Sequence, residues 1–393
     1  MAFFFVLVLV VSILAGTIAR RHIRSPPSPA SERVGSADSK ALRAKDEPGE
    51  KGNALGHDSA IETLPDFDWR TTPPLKLRPF KPTYNITMAL QTSRPSDLIL
   101  IDKNYLERVI RRRTLIADYK SAVFGAAPSG HAPVRELYTY LLGTYLPARY
   151  PTMFHLSHSP TSYSSPSPQT LFHNRATGRS SPLSPPPSTA AEMLQILGET
   201  VEDDLFLLLP DRDTDKPEGE GGAHRAVAFV CCHPAGFDPS EKLGKVLAEI
   251  HGPVPGYEKI GASMERYFGR LEVGRCVKRV NWSVQAHSRL YAPSGNHVYA
   301  GEDIEEEAGI DVDKARFRVE LQALTRLPET RAVLFSFKTY MYSLDEIRRE
   351  GLGPELADAI EGLKAGNAPG MWVYKGGVRW GNAACEYLRA DGG

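Results

Sequence analysis

Cys231-Cys232-His233-Pro234-Ala235-Gly236-Phe237-Asp238-Pro239-Ser240 runs on through Glu241-Lys242-Leu243-Gly244-Lys245-Val246-Leu247-Ala248-Glu249-Ile250 into His251-Gly252-Pro253-Val254-Pro255-Gly256-Tyr257. It reads as the end of a buried strand (Val227 to Cys232), a turn, a short amphipathic helix, and a histidine set just before a Pro-x-Pro corner. The two prolines fix φ and remove amide donors, so the backbone after His251 is extended and stiff and the imidazole has few directions open to it. A rigidly aimed histidine suits a metal centre.

Downstream the texture is short strands, predicted over Val227 to Cys232, Arg279 to Gln285, Phe317 to Arg326 and Ala332 to Thr339, followed by helices over Leu344 to Glu350 and Pro354 to Leu363. Alternation such as Phe317, Val319, Leu321, Ala323 predicts an antiparallel sheet with helices on one side, an α+β fold. Upstream, Asp102 is a candidate cap for a helix through Tyr105, Leu106, Val109 and Ile110 that carries Arg111-Arg112-Arg113. The arginine triplet reads either as a solvated face or as an anion or partner contact. A second helix, Ala132 to Leu146, is expected to end at Pro147. Met193 to Leu209 has helical periodicity and carries Glu202, Asp203 and Asp204. The Ser/Pro-rich pieces near 157–168 and 180–188 read as insertions that lengthen surface loops.

Residues 2–19 are apolar or small throughout, about the minimum length for a helix to cross ~30 Å of hydrocarbon. Arg20, Arg21 and Arg24 follow at once. The expectation is a single-pass anchor over 1–19 with the downstream side cytosolic; a cleaved secretory signal is the competing reading, though it lacks a charged leading region. Residues 20–74 are Ser, Pro, Gly and charge, the composition of a disordered linker, which leaves 75–393 as the folded domain. With 41% hydrophobic residues and a net charge of zero, the chain has enough apolar residues for a large core, and no basic stripe of a nucleic-acid binder. Four cysteines, two of them adjacent, form neither a disulfide framework nor a zinc spacing, as in a reducing compartment. The sequons at Asn85 and Asn281 are accordingly expected to stay unused.

Gly-x-Gly-x-x-Gly, the phosphate loop, His-Glu-x-x-His and Gly-x-Ser-x-Gly are all absent, which removes the commonest dinucleotide, nucleotide, metalloprotease and hydrolase devices. His251 and the strand Arg279-Val280-Asn281-Trp282-Ser283 remain. A single histidine in an apolar segment is more often structural than a ligand. Haem changes that requirement, because one axial histidine, apolar walls and a few cations for the propionates suffice. Ile250, Val254, Phe237, Tyr257, Phe268 and Trp282 are candidate walls; Lys242, Arg266 and Arg279 are candidate cations.

Arg149-Tyr150-Pro151-Thr152-Met153-Phe154, Glu202-Asp203-Asp204-Leu205, Leu243-Gly244 with Ile250 to Tyr257, Arg279 to Ser283, and Glu320-Leu321-Gln322-Ala323-Leu324-Thr325-Arg326-Leu327-Pro328 resemble, in this order, the haem-dependent oxidative N-demethylase family, common in fungi as a domain of unknown function. The likeness covers about Lys81 to Thr339 and continues toward Leu388. It implies a PAS-like sheet domain elaborated with helices and holding haem b through a histidine. It also implies oxidation of a methyl group on a small secondary amine such as dimethylamine, with O₂, and electrons from NADPH by way of flavin and iron–sulfur centres on a separate reductase.

On that resemblance His251 is the proximal ligand, with His233 and His287 as fallbacks. Glu320 either faces a protonated amine, whose desolvation needs a carboxylate, or pairs with Arg318 or Arg326. Asn281 and Gln322 either donate to bound O₂ or satisfy strand edges. The chain departs from the family in three places: Phe237 stands for a tryptophan, Met88-Ala89-Leu90 for Met-Gly-Leu, and Leu321 for an arginine between the acid and the amide. The rival readings are a haem-binding PAS-like sensor without turnover and an anchored interaction protein without cofactor.

Overall fold

The computed structural model describes residues 61–160, 168–211, 222–299, 301–302 and 310–390. The expected anchor over 1–19 and most of the expected linker lie outside them, and no helix of the described residues is long and apolar enough to cross a membrane. Ordered packing begins before Leu75. Ile61, Leu64, Phe67 and Trp69 lie against the first core cluster, and the Leu64 amide donates to Arg149 O at 2.9 Å. Four apolar anchors in nine residues are enough to hold a segment whose overall composition is polar.

In chain order the strands are β1 (Gln91–Ser93), β2 (Phe124–Ala126), β3 (Phe154–Ser159), β4 (Gln169–Asn174), β5 (Arg179–Ser184), β6 (Asp204–Pro210), β7 (His224–Val230), β8 (Cys276–Gln285), β9 (Arg316–Arg326) and β10 (Val333–Ser343). The helices are α1 (Tyr105–Tyr119), α2 (His131–Tyr140), α3 (Leu146–Arg149), α4 (Ala190–Gly198), α5 (Leu247–His251), α6 (Gly261–Arg270), α7 (Leu344–Arg349), α8 (Gly353–Glu361), α9 (Met371–Tyr374) and α10 (Gly377–Arg389). Seven strands form one sheet in the order β1-β8-β9-β10-β6-β7-β2, and β3-β4-β5 form a second. Every pairing is antiparallel, so the fold is α+β.

Several local expectations change. The run from Met193 to Leu209 is not one helix: α4 stops at Gly198, and Glu202-Asp203-Asp204 lead into β6. Pro147 does not end the second helix, because it occupies the first turn of α3, where its missing amide costs nothing; α2 reaches α3 through a π-turn at Leu141–Tyr145. The Ser-rich piece near 180–188 is not wholly loop, since its first residues pair with β4 as strand β5.

The sheet is covered on both faces, not one. Along β9, Phe317 and Val319 enter a core with α7, α8 and α10, while Ala323 joins Leu207 and Leu334 in a core with α1, α2 and α4. Residues one step out of phase face the other way. Val277, Leu324 and Val333 pack there against Leu247 of α5 and Met264 and Phe268 of α6. The second face therefore has its own helices, and the space between them and the sheet is where the site lies.

The arginine triplet is split by helical geometry: Arg111 is exposed and Arg112 is fully buried. Arg112 Nη1 donates to Asp204 Oδ1 at 2.5 Å, and its Nε donates to Gly198 O at 2.7 Å. The same carboxylate accepts the amides of Cys232 (2.7 Å) and His233 (2.9 Å). One buried ion pair thus fixes the exit of β7 and the start of the stretch that leads to His251.

Next to it Lys338 Nζ pairs with Glu202 and with Asp102 Oδ2 (2.8 Å), and Ser336 Oγ donates to Asp203 Oδ1 (3.1 Å). Burial pushes the Asp203 carboxyl up to about 7. The folded chain therefore holds a proton that the unfolded chain releases near pH 4, and the stability this gives is complete at low pH and lost as pH rises through 7. An Asp203→Asn variant is expected to lose about 2 kcal/mol less stability than the wild type between pH 5 and pH 8. Urea midpoints at the two pH values check it, and equal losses would remove Asp203 as the cause.

Candidate functional site

Strand register decides what the second face presents. Arg279 is opposite Gln322, Asn281 opposite Glu320, and Ser283 opposite Arg318. Thr339 is opposite Glu320 and Phe335 opposite Leu324. All of these side chains project to one side. Above them, α5, α6, α9 and the segment around Tyr84 to Leu90 enclose a cavity of about 300 Å³. Its walls are largely apolar: Phe206, Leu208, Phe237, Ile250, Val254 and Phe268 all line it.

His251 lines the cavity from the end of α5. Its Nδ1 is 2.9 Å from Leu247 O, one helical turn back, so the proton sits on Nδ1. The ring stacks on Tyr257 with centroids 5.0 Å apart and planes 10° from parallel. The corner after His251 is a turn and not the extended run expected: Gly252 is in the right-handed helical region (φ −48°, ψ −42°), the Val254 amide donates back to His251 O at 2.9 Å, and Gly256 takes φ +79°. A Cβ there would meet Ala368 and Ile86 at 3.1 Å. Nε2 carries no hydrogen bond to any described residue and keeps its lone pair. Burial pushes the imidazole below its usual range, which favours the neutral, ligating form.

The polar floor is built on β8 and β9. Glu320 Oε2 accepts from Gln322 Nε2 at 3.0 Å and from Asn281 Nδ2 at 3.4 Å. Asn281 Oδ1 accepts in turn from Lys375 Nζ at 3.2 Å, and Lys375 also donates to Trp282 O at 2.5 Å. Burial lowers the Lys375 ammonium to about 8. Arg318 Nε stands 4.0 Å from Glu320 Oε1, while its Nη atoms go to carbonyls of Leu290 (3.0 Å) and His233 (2.5 Å). Arg326 is not a partner of Glu320, since it donates to carbonyls of Phe268, Leu271 and Arg331.

Of the candidate cations, Arg279 and Lys242 line the cavity and Arg266 does not; Arg266 lies on the exposed side of α6, 2.9 Å from Ser263 Oγ. The Arg279 guanidinium has no hydrogen-bonded or ion-paired partner among the described residues, and its Nε is buried. Burial lowers its affinity for a proton, as it does for Lys242.

Trp282 reaches the cavity edge, but its ring belongs to the opposite face, 5.7 Å from Phe317 in the core with α7, α8 and α10. The fallback ligands lie outside the cavity. His233 is fully buried elsewhere, and His287 has Nδ1 on Gln285 (3.0 Å) and Nε2 on Asn296 (2.9 Å). Among the cavity residues the sequence reading did not single out are Lys375 and His297, the latter stacked on Tyr374 at 4.3 Å and held down to about 3 by burial.

The model of the family described as haem-dependent oxidative N-demethylase, alpha subunit-like, matches residues 89–385. The chain belongs to this family. Haem fits what the N-demethylase-like domain offers: a histidine with a fixed ring and an unshared Nε2, an unpaired guanidinium facing the same space, and apolar walls. The three positions read above as departures from the family lie in different surroundings. Leu321 points away from the cavity into the partly buried fringe of the helical core, so an arginine at that position would not reach a ligand on the cavity side. Ala89 sits at φ +50°, a left-handed conformation that a glycine takes without strain. The third, Phe237, simply lines the cavity.

Proposed function

We propose that this domain oxidatively N-demethylates a small secondary amine of the dimethylamine class, with His251 Nε2 holding haem b and Arg279 and Lys242 facing its propionates. The observation that carries it is the His251 ring, pinned by Leu247 O and Tyr257 and left with a bare Nε2 toward an apolar cavity. Bound there, haem supplies the redox chemistry that oxidises an N-methyl group with O₂ and electrons from outside the chain.

The chain's own residues handle the amine. Glu320 is 8% exposed, and the two amides on Oε2 leave Oε1 as the oxygen for a cationic nitrogen. An ammonium in this apolar space needs that charge to offset its lost hydration. Asn281 and Gln322 act in this scheme as orienters of the carboxylate, each with an amide hydrogen committed to it, and not as the primary donors to O₂. Trp282 and Arg266 are left out of the cofactor set. The PAS-like character of the sheet and a reductase partner carrying flavin and iron–sulfur centres, reduced by NADPH, belong to the same reading by family resemblance.

Oxygen consumption tests it. Haem-loaded full chain with an electron-donating reductase system is expected to take up O₂ and release formaldehyde only when dimethylamine is added. A Soret band without amine-dependent uptake would instead identify a haem-binding sensor, and a protein that stays colourless with added haem would overturn both.

A further inference from the structure

Lys375 stands at the end of α9, buried and 3.2 Å from Asn281 Oδ1, with the ring faces of Tyr84 and Trp282 at 5.7 and 5.6 Å. An ammonium has three donors and no acceptor, so the amide atom that meets it must be the oxygen. The Asn281 NH₂ is thereby turned toward Glu320 Oε2, 3.4 Å away. Gln322 donates to the same oxygen at 3.0 Å, and no described residue donates to Oε1, whose nearest cation is Arg318 Nε at 4.0 Å.

We propose that Lys375 is a positioning residue: it locks the Asn281 amide in one orientation and so commits Oε2 of Glu320 to the protein while reserving Oε1 for the amine. This rests on the reading of the cavity as an amine site. A free Asn281 amide can turn its oxygen toward the carboxylate, which repels Glu320 from the pose that meets the ligand. The cost of holding a buried cation at a cation-binding site then has a reason, since Lys375 serves geometry at the expense of charge.

Charge and geometry predict opposite signs, which makes the test decisive. Lys375→Met removes a positive charge and Asn281→Asp adds a negative one, so by charge alone both variants bind an ammonium more tightly. By positioning both bind it more weakly, because Asn281→Asp removes the NH₂ that donates to Oε2 and Lys375→Met frees that amide to turn away. Calorimetric titration of the haem-loaded full chain with dimethylamine is expected to show about tenfold weaker binding in either variant, the size of one misplaced buried hydrogen bond. Thermal midpoints check folding.

A folded variant of either kind that binds at least as tightly as the wild type would overturn the positioning role. Failure of the wild type itself to bind dimethylamine would overturn the amine reading, and this inference with it. The two failures are thus told apart by the wild-type titration.

Discussion

His251→Ala is expected to abolish the haem Soret band of the full chain while leaving the fold in place, and added imidazole is expected to restore part of it. The ring makes one hydrogen bond, to Leu247 O, and one stack, on Tyr257. It is half-buried at the cavity wall and not locked in a core cluster, so its removal costs little packing. On the proposed reading its contribution to haem would be the metal bond itself. Loss of an outer-shell partner weakens metal affinity roughly 10- to 100-fold, and loss of the ligand is expected to exceed that. The check is a spectrophotometric haem titration of both proteins, with circular dichroism to confirm the fold. A Soret band of unchanged position and intensity would refute the assignment, and its disappearance in His297→Ala instead would move the ligand to the other cavity-facing imidazole.

The second large effect is at Glu320. Glu320→Gln keeps the shape and an acceptor for the neighbouring amides but removes the only carboxylate that lines the cavity among the described residues. A desolvated cation whose partner is truncated loses about 2–5 kcal/mol, so dimethylamine affinity is expected to fall at least 30-fold. The haem spectrum is expected to stay unchanged, because the proposed reading gives the iron to His251 and not to Glu320. Stability changes little, since the buried Arg318 keeps its carbonyl partners at Leu290 and His233. Amine titration followed calorimetrically decides it: binding within threefold of the wild type would make Glu320 a structural partner of Arg318 and no more.

How much of this was legible in the chain follows physical lines. The alternation at Phe317 and Val319 announced β9, because a strand with a core on one side must repeat every second residue. The same rule carries Asn281, Glu320 and Gln322 to one face, and His251 was marked by its prolines. Trp282 illustrates the limit. It is adjacent to Asn281, and adjacency in a strand means opposite faces, so its ring packs on Phe317 in the helical core and reaches the cavity only at its edge.

Other features depended on contacts far apart in the chain. Arg112 looks like its charged neighbours until α1 turns it under Asp204, 92 residues on. Lys375 follows a four-residue helix with no periodic signature. His297 sits in a loop and reaches the cavity only because the chain folds back over Gly236, whose absent Cβ would stand 2.9 Å from the His297 ring and amide. The segment from Ile61 to Trp69 did carry a signal, four apolar residues at short spacing, which the surrounding prolines and charges masked.

The odd and even positions of β8 and β9 lead separate lives. On one parity they face the cavity, on the other they hold the helical layer in place. Descendants of this chain are therefore free to change the chamber's chemistry by point substitution at alternate residues without touching what keeps the molecule together. A single-residue deletion within either strand, by contrast, would exchange the two roles at a stroke, so a change in what the cavity holds should arise by replacement and never by shortening.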